Sequence, residues 1–254
     1  MTGTVHVLAL DFPPISHLVE WKAFGLGINK VVLGFFFAVI ATMVVFVLGN
    51  KKQLVPAGAQ NMAEASVDFI REGIVMQTIG PDGMAFMPML LTLFFFIFFN
   101  NILEVIPGWQ MPGNARMAMP AALALFVWVV FNLVGSTKQG LGHYLKNSLF
   151  PPGVPKALYL LVTPIELVST FVVRPFSLAV RLFANLLAGH ILLVTFAVLA
   201  SALWTKSLLA IIVPLPAVML VLLTGFEVLV AFLQAYIFTI LAAVYIGGAM
   251  HPEH

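Results

Sequence analysis

No cysteine occurs in this sequence, and charge of either sign is scarce: only 9% of its 254 residues are Asp, Glu, Lys or Arg. Without thiols there are no disulfides, no thiol catalysis and no thiolate metal sites. So little charge excludes an ordinary soluble domain, where about 25% of residues are charged. A formal charge of +2 leaves no basic surface for nucleic acid. No GxxxxGK[ST] loop occurs, so no nucleotide is expected to bind the chain directly. No internal repeat is visible, which counts against the repeat-built secondary transporters. The first 28 residues carry Asp11, His17, Glu20 and Lys22 and lack the basic start and apolar core of a signal peptide. The first span is therefore expected to act as its own insertion signal.

What the chain has instead is apolar length. Hydrophobic residues make up 61% of it, and mean hydropathy is +1.07. Apolar runs recur at about 20 residues, the length that crosses a bilayer. The pattern predicts an all-α membrane protein, a single membrane domain over 1–254, with five transmembrane helices and one amphipathic surface helix. Residues 1–28, with Pro13-Pro14, form an extramembrane N-terminal segment. Three spans are expected at about Val31 to Gly49, Met84 to Ile106 and Met119 to Ser136. In residues 60–79, Ala63, Val67, Ile70 and Ile74 recur at helical spacing while Glu64, Asp68, Arg71 and Glu72 fall opposite. Such a helix lies on the membrane surface or against a partner helix. A Pro/Gly loop holds Trp109 and Arg116, and 137–157 is a polar stretch with the breakers Pro151-Pro152-Gly153.

Two longer segments follow, from about Thr163 to Ala200 and from about Pro216 to Gly247. At 1.5 Å per residue they reach about 57 Å and about 50 Å, against a hydrocarbon core of about 30 Å. Both must tilt or bend, and Pro175 supplies a kink point. Thr163-Pro164-Ile165-Glu166 has the form of a capping box with proline at the first helical position. A short turn at Trp204, Thr205 and Lys206 makes the pair an oblique antiparallel hairpin over 163–248. Five crossings put the termini on opposite sides. Lys51, Lys52, Arg71, Lys138, Lys146 and Lys156 fall on one side, Lys22, Lys30, Arg116 and Lys206 on the other, which favours a cytoplasmic C-terminus.

Within the hairpin the stretch RPFSLAVRLFANLLAGH (Arg174 to His190) is polar where a membrane helix is normally blank. Charge at the bilayer centre costs about 2.5–3.5 kcal/mol per residue, so such a residue faces protein or water and marks an ion or substrate path. Arg181 and Asn185 share one face, one turn apart. Glu227 and Gln234 share a face of the last helix, about 10.5 Å apart along its axis, and His190 lies about 13.5 Å beyond Arg181. In an antiparallel pair, setting Arg181 level with Gln234 brings His190 close to the level of Glu227. The expected result is an Arg–Asn–Gln cluster at mid-depth and a His–Glu pair nearer the outer side. Arginine stays protonated, so it holds a carboxylate ionised or blocks a cation but relays no proton. Histidine and glutamate do exchange protons.

Weaker candidates flank this set. Asn100, Asn101 and Glu104 are either interfacial polar residues or the wall of an aqueous access path. Arg174 is either a lipid-headgroup anchor or path lining. For Glu166 the capping box suffices, and an exit path is the alternative.

At these residues the chain resembles subunit a of the F-type ATP synthase. SLAVRLFANLLAGH is similar to that family's signature around its essential arginine, and FEVLVAFLQAYIFTILAAVYI to its last helix, whose glutamine faces the rotor. TPIELVS, RPFSL, NNILEVIPG and the five-crossing layout also fit. The resemblance covers roughly residues 17–248 and is strongest over 163–248. It implies a gate arginine at Arg181, with Asn185 and Gln234 beside it, and an access half-channel lined by His190 and Glu227. Some family members exchange the acid and the histidine at these two positions. It further implies a non-catalytic subunit of a bacterial plasma-membrane complex, without cofactor, whose partners are a ring of c subunits, peripheral-stalk b subunits and lipid. The reading that competes with it is a proton-coupled secondary transporter.

Overall fold

The computed structural model describes residues 30–49, 58–106, 117–150, 155, 158–204 and 211–250. Helix α1 is Lys30–Gly49, and α2 is Ala59–Ile70, prolonged through a π turn, Arg71–Val75, into Met76–Thr78. A 3₁₀ turn, Pro81–Phe86, leads into α3, Met87–Ile102. Then come α4 (Ala118–Gln139), α5 (Leu141–Leu149), α6 (Tyr159–Val168), a second π turn (Ser169–Val173), α7 (Arg174–Leu203) and α8 (Pro214–Met250). All elements among the described residues are helical. Four helical stretches are long and apolar enough to cross a membrane: Pro81–Ile102, Ala118–Gln139, Tyr159–Leu203 and Pro214–Met250. Val32–Val47 is a shorter apolar helix. The chain is thus an all-α membrane protein.

Helix α8 is the axis of the bundle and packs against α3, α4 and α7, while α1 lies outside α3. Its inner face is built of small residues, with Ala231, Ala235, Ala242 and Ala243 all buried. Small side chains let helix backbones approach closely where lipid provides no hydrophobic drive between helices. The phenylalanine run of α3 fills the space on one flank, and Phe94, Phe95 and Phe96 are buried. Large apolar residues such as Ile40, Val47, Val221 and Leu222 point outward, as expected of a surface solvated by acyl chains.

The amphipathic helix is α2. Ile70 and Ile74 are buried while Glu64, Asp68, Arg71 and Glu72 are exposed. Its Phe69 ring meets Phe94 of α3 and Tyr236 of α8, with centroids 6.1 and 5.6 Å apart. Beyond it, the Thr78 carbonyl lies 2.8 Å from where a Cβ on Gly247 would stand, so α2 is stapled to the far end of α8.

The structure corrects one expectation about a helix end and adds a helix. Thr163 and Pro164 do not open the fourth span, because α6 already starts at Tyr159 and Pro164 lies inside it. The Thr163 hydroxyl is buried and makes no hydrogen bond among the described residues. The apolar YLLVT run prolongs the helix because irregular backbone in hydrocarbon leaves several peptide groups unsatisfied, whereas an internal proline removes one hydrogen bond. At Pro175, the expected kink point, the structure has a π turn, Ser169–Val173, just before the proline. Pro175 offers no N–H to the Phe171 carbonyl and its ring crowds that oxygen, and a wider turn relieves the crowding.

The added helix is α5, inside the stretch expected to be merely polar. Gly140, at φ 81°, turns the corner into it. Tyr144 is its buried residue. Its ring fills the notch left by Gly135, where a Cβ would collide with it. Its hydroxyl donates to Asn132 Oδ1 at 3.1 Å. Residues 1–28, Lys51, Lys52, Trp109, Arg116, Pro151-Pro152-Gly153, Lys156, Thr205, Lys206 and the last four residues lie outside the described residues.

Candidate functional site

Three contacts fix how α7 lies on α8. The Arg174 guanidinium sits over the Tyr245 ring, 5.4 Å from its centroid. Asn185 Nδ2 donates to Gln234 Oε1 at 3.4 Å. The Glu227 carboxyl occupies space left open by Gly189, 2.6 Å from where a Cβ would stand. From the first contact to the second, eleven residues forward on α7 match eleven back on α8. From the second to the third, four forward match seven back. The helices are therefore antiparallel and in step. The offset near Gly189, about 4.5 Å of rise, is within reach of a glutamate side chain.

This register brings the sequence candidates together in two groups. In the first, Gln234 is buried and Asn185 half-buried. The Gln234 Nε2 is buried and donates to nothing among the described residues. Arg181, one turn before Asn185, is exposed on the outer face of α7. It has no hydrogen bond or ion pair to a described residue.

The second group has three titratable members, His190 on α7, Glu227 on α8 and Glu104 in the turn that follows α3. His190 Nδ1 lies 4.0 Å from Glu104 Oε1, and Glu104 is within electrostatic reach of Glu227. All three are buried, 6%, 3% and 5% exposed respectively. A separation of 4.0 Å is too long for a direct hydrogen bond and suits a bridging water or a small rotation of the imidazole.

Asn100 and Asn101 are fully buried and interact inside the bundle, so they face protein and not the interface. They stand one turn before Glu104. The half-buried Arg174 turns in onto Tyr245 and not outward to a headgroup. Glu166 stands apart, about 22 Å before Arg181 at helical rise. Two contributors escape a reading by residue type. Gly189 is the notch that admits Glu227, and its sequence signal is a glycine beside the histidine. Tyr245 is the seat of Arg174, signalled only by their equal distances from the Asn185–Gln234 contact.

The chemistry of the two groups differs. One holds a fixed positive charge one turn from a pair of hydrogen-bonded amides. The other can bind, hold and release protons, since each member titrates.

A family model described as ATP synthase A chain matches residues 31–247. Among curated relatives, ATP synthase subunit a of Frankia alni is 43% identical over 243 residues, covering 92% of this chain and 84% of the relative. That of Rhodococcus erythropolis is 40% identical over 246 residues, with 96% and 89% covered. That of Maricaulis maris is 40% identical over 253 residues, with 94% and 96% covered. The matched region contains both groups of residues, and the chain belongs to the ATP synthase A chain family, subunit a of the ATP synthase.

Proposed function

We propose that Arg181 is the gate of a rotary proton path and that Glu104, His190 and Glu227 line the half-channel leading to it. As a subunit a, the chain is a proton-translocating, non-catalytic, multi-pass subunit of the membrane sector. In this reading a proton enters through the titratable group and passes to a carboxylate on a ring of c subunits. It rides the rotation and leaves by a second half-channel. Arg181 bars direct passage between the two half-channels and makes the arriving ring carboxylate give up its proton. Asn185 and Gln234 fix the level at which the guanidinium stands. Each charge crossing is worth about 2.3 kcal/mol per 100 mV, so several protons serve each ATP made on other subunits. Peripheral-stalk b subunits hold the chain still against the ring.

The observation that carries this is the exposure of Arg181. A guanidinium on the outer face of a membrane helix, without a partner among the described residues, calls for a counter-charge from elsewhere. A moving ring carboxylate supplies one intermittently. The test is purification in mild detergent through an affinity tag on this chain. The expected result is recovery with a ring of small helical hairpins and b subunits, and proton conduction only when the ring is present. A chain that purifies alone and moves protons or solute alone would be a secondary transporter, and the proposal would fall.

The same reading places the chain in the bacterial plasma membrane with its N-terminus outside and its C-terminus cytoplasmic. Cysteines at Thr2 and Glu253, in a chain otherwise free of thiols, should react with an impermeant maleimide from opposite faces of oriented vesicles. Reaction of both from one face would contradict an odd number of crossings.

A further inference from the structure

We infer that the groove between α1, α2 and α3 is a binding site for an aminophospholipid, one acyl chain in the groove and its primary ammonium on Glu64 and Asp68. The groove has a volume of about 650 Å³, within the range of about 300–1,000 Å³ typical of small-molecule sites. Its walls are Val45 and Phe46 from α1 and Leu91 and Phe95 from α3. Its rim is α2, where Glu64 and Asp68 line the opening one turn apart. Val45 and Phe46 lie near the end of α1, and Leu91 near the start of α3. The mouth is therefore at one interface and the walls run into the hydrocarbon.

The charges choose the headgroup. Glu64, Asp68 and Glu72 recur every fourth residue on the exposed face of α2, so they form a ridge that repels an anionic lipid. Two carboxylates can accept up to three hydrogen bonds from one primary ammonium, whereas a quaternary ammonium donates none. Glu64 already accepts from Gln60 Nε2 at 2.8 Å, which orients it, and its second oxygen is left for the ligand. Arg71, one turn past Asp68, pairs with Glu72 through Nε at 3.5 Å. The other guanidinium nitrogens have no partner among the described residues and suit the lipid phosphate. Anion, anion and cation thus follow one another along the helix in the order that an ammonium joined to a phosphate by two carbons requires.

The whole complex, reconstituted into vesicles, can be probed with lipids carrying one photoreactive acyl tail and three alternative headgroups: ethanolamine, choline and glycerol. Adducts on Val45, Leu91 and Phe95 should be about three- to tenfold more abundant with ethanolamine, the range expected of two partly solvated charge pairs. E64Q with D68N should erase that preference. Ala63→Phe, which fills the groove, should lower labelling by all three probes. Equal labelling by the three headgroups, or a preference that survives E64Q/D68N, would overturn the inference. So would a photo-crosslinker at Val67 that captures a polypeptide in place of lipid.

Discussion

Vesicles whose ATP synthase carries Arg181→Ala are expected to make ATP from a proton gradient at about one-hundredth of the normal rate or less. A fixed charge at mid-membrane is worth roughly 3 kcal/mol, and each 1.36 kcal/mol is tenfold in rate. The complex should still assemble in normal amount, because Arg181 is exposed and makes no hydrogen bond or ion pair among the described residues. Passive proton leak through the membrane sector should persist, since the variant removes a barrier and not a conduit. Arg181→Lys should recover little. The ammonium keeps the charge but replaces a rigid planar fork by a point on a flexible stem, so it no longer holds a carboxylate in one place. Rates of synthesis, amount of co-purified ring and dye-reported leak can be measured on one vesicle preparation. Near-normal synthesis by the alanine variant would remove Arg181 from the gate, and loss of assembled complex would make its role structural.

How far such a site can be read from sequence depends on which residues share a helix. Arg181 and Asn185, or Glu227 and Gln234, are set by the helical period alone, and an antiparallel hairpin then aligns the two pairs. The Asn185–Gln234 bond and the seating of Glu227 against Gly189 follow from that geometry. The position of Glu104 does not. It lies in the turn just past α3, and no period connects it to His190, so only packing of α3 and α7 on a common helix places its carboxyl 4.0 Å from the imidazole. A helix end departs from its sequence signal where bilayer physics overrules it. Thr163-Pro164 is a good start signal in water, but in hydrocarbon the preceding apolar turn stays helical. Helix α5 was invisible because one residue, Tyr144, does its packing, and a single buried position has no periodicity to detect.

The three titratable groups give the sharpest test of the path itself. His190→Ala and Glu227→Ala should each reduce proton flux by about tenfold or more, since losing a positioned proton-transfer group costs about 10²–10⁴-fold and water replaces part of it. Each also strands a buried partner. The exchange His190→Glu with Glu227→His keeps both chemical types and should retain more flux than the worse single variant, an excess that a double-mutant cycle reads as coupling. Recovery will be incomplete for a reason visible in the structure. The exchange sets a carboxyl at position 190 toward Glu104, where His190 now lies 4.0 Å away, and two close carboxylates cannot both stay ionised. Adding Glu104→Gln removes one charge while keeping the shape. If the repulsion is the obstacle, the triple variant should conduct better than the exchange at neutral pH, and the difference should shrink as the medium is acidified and the carboxyls protonate anyway. An exchange no better than the single variants, together with a triple variant no better than the exchange, would show that the three side chains do not share one proton path. The gate would survive that result, because it rests on a fixed charge facing out of the hairpin and not on the titration of its neighbours.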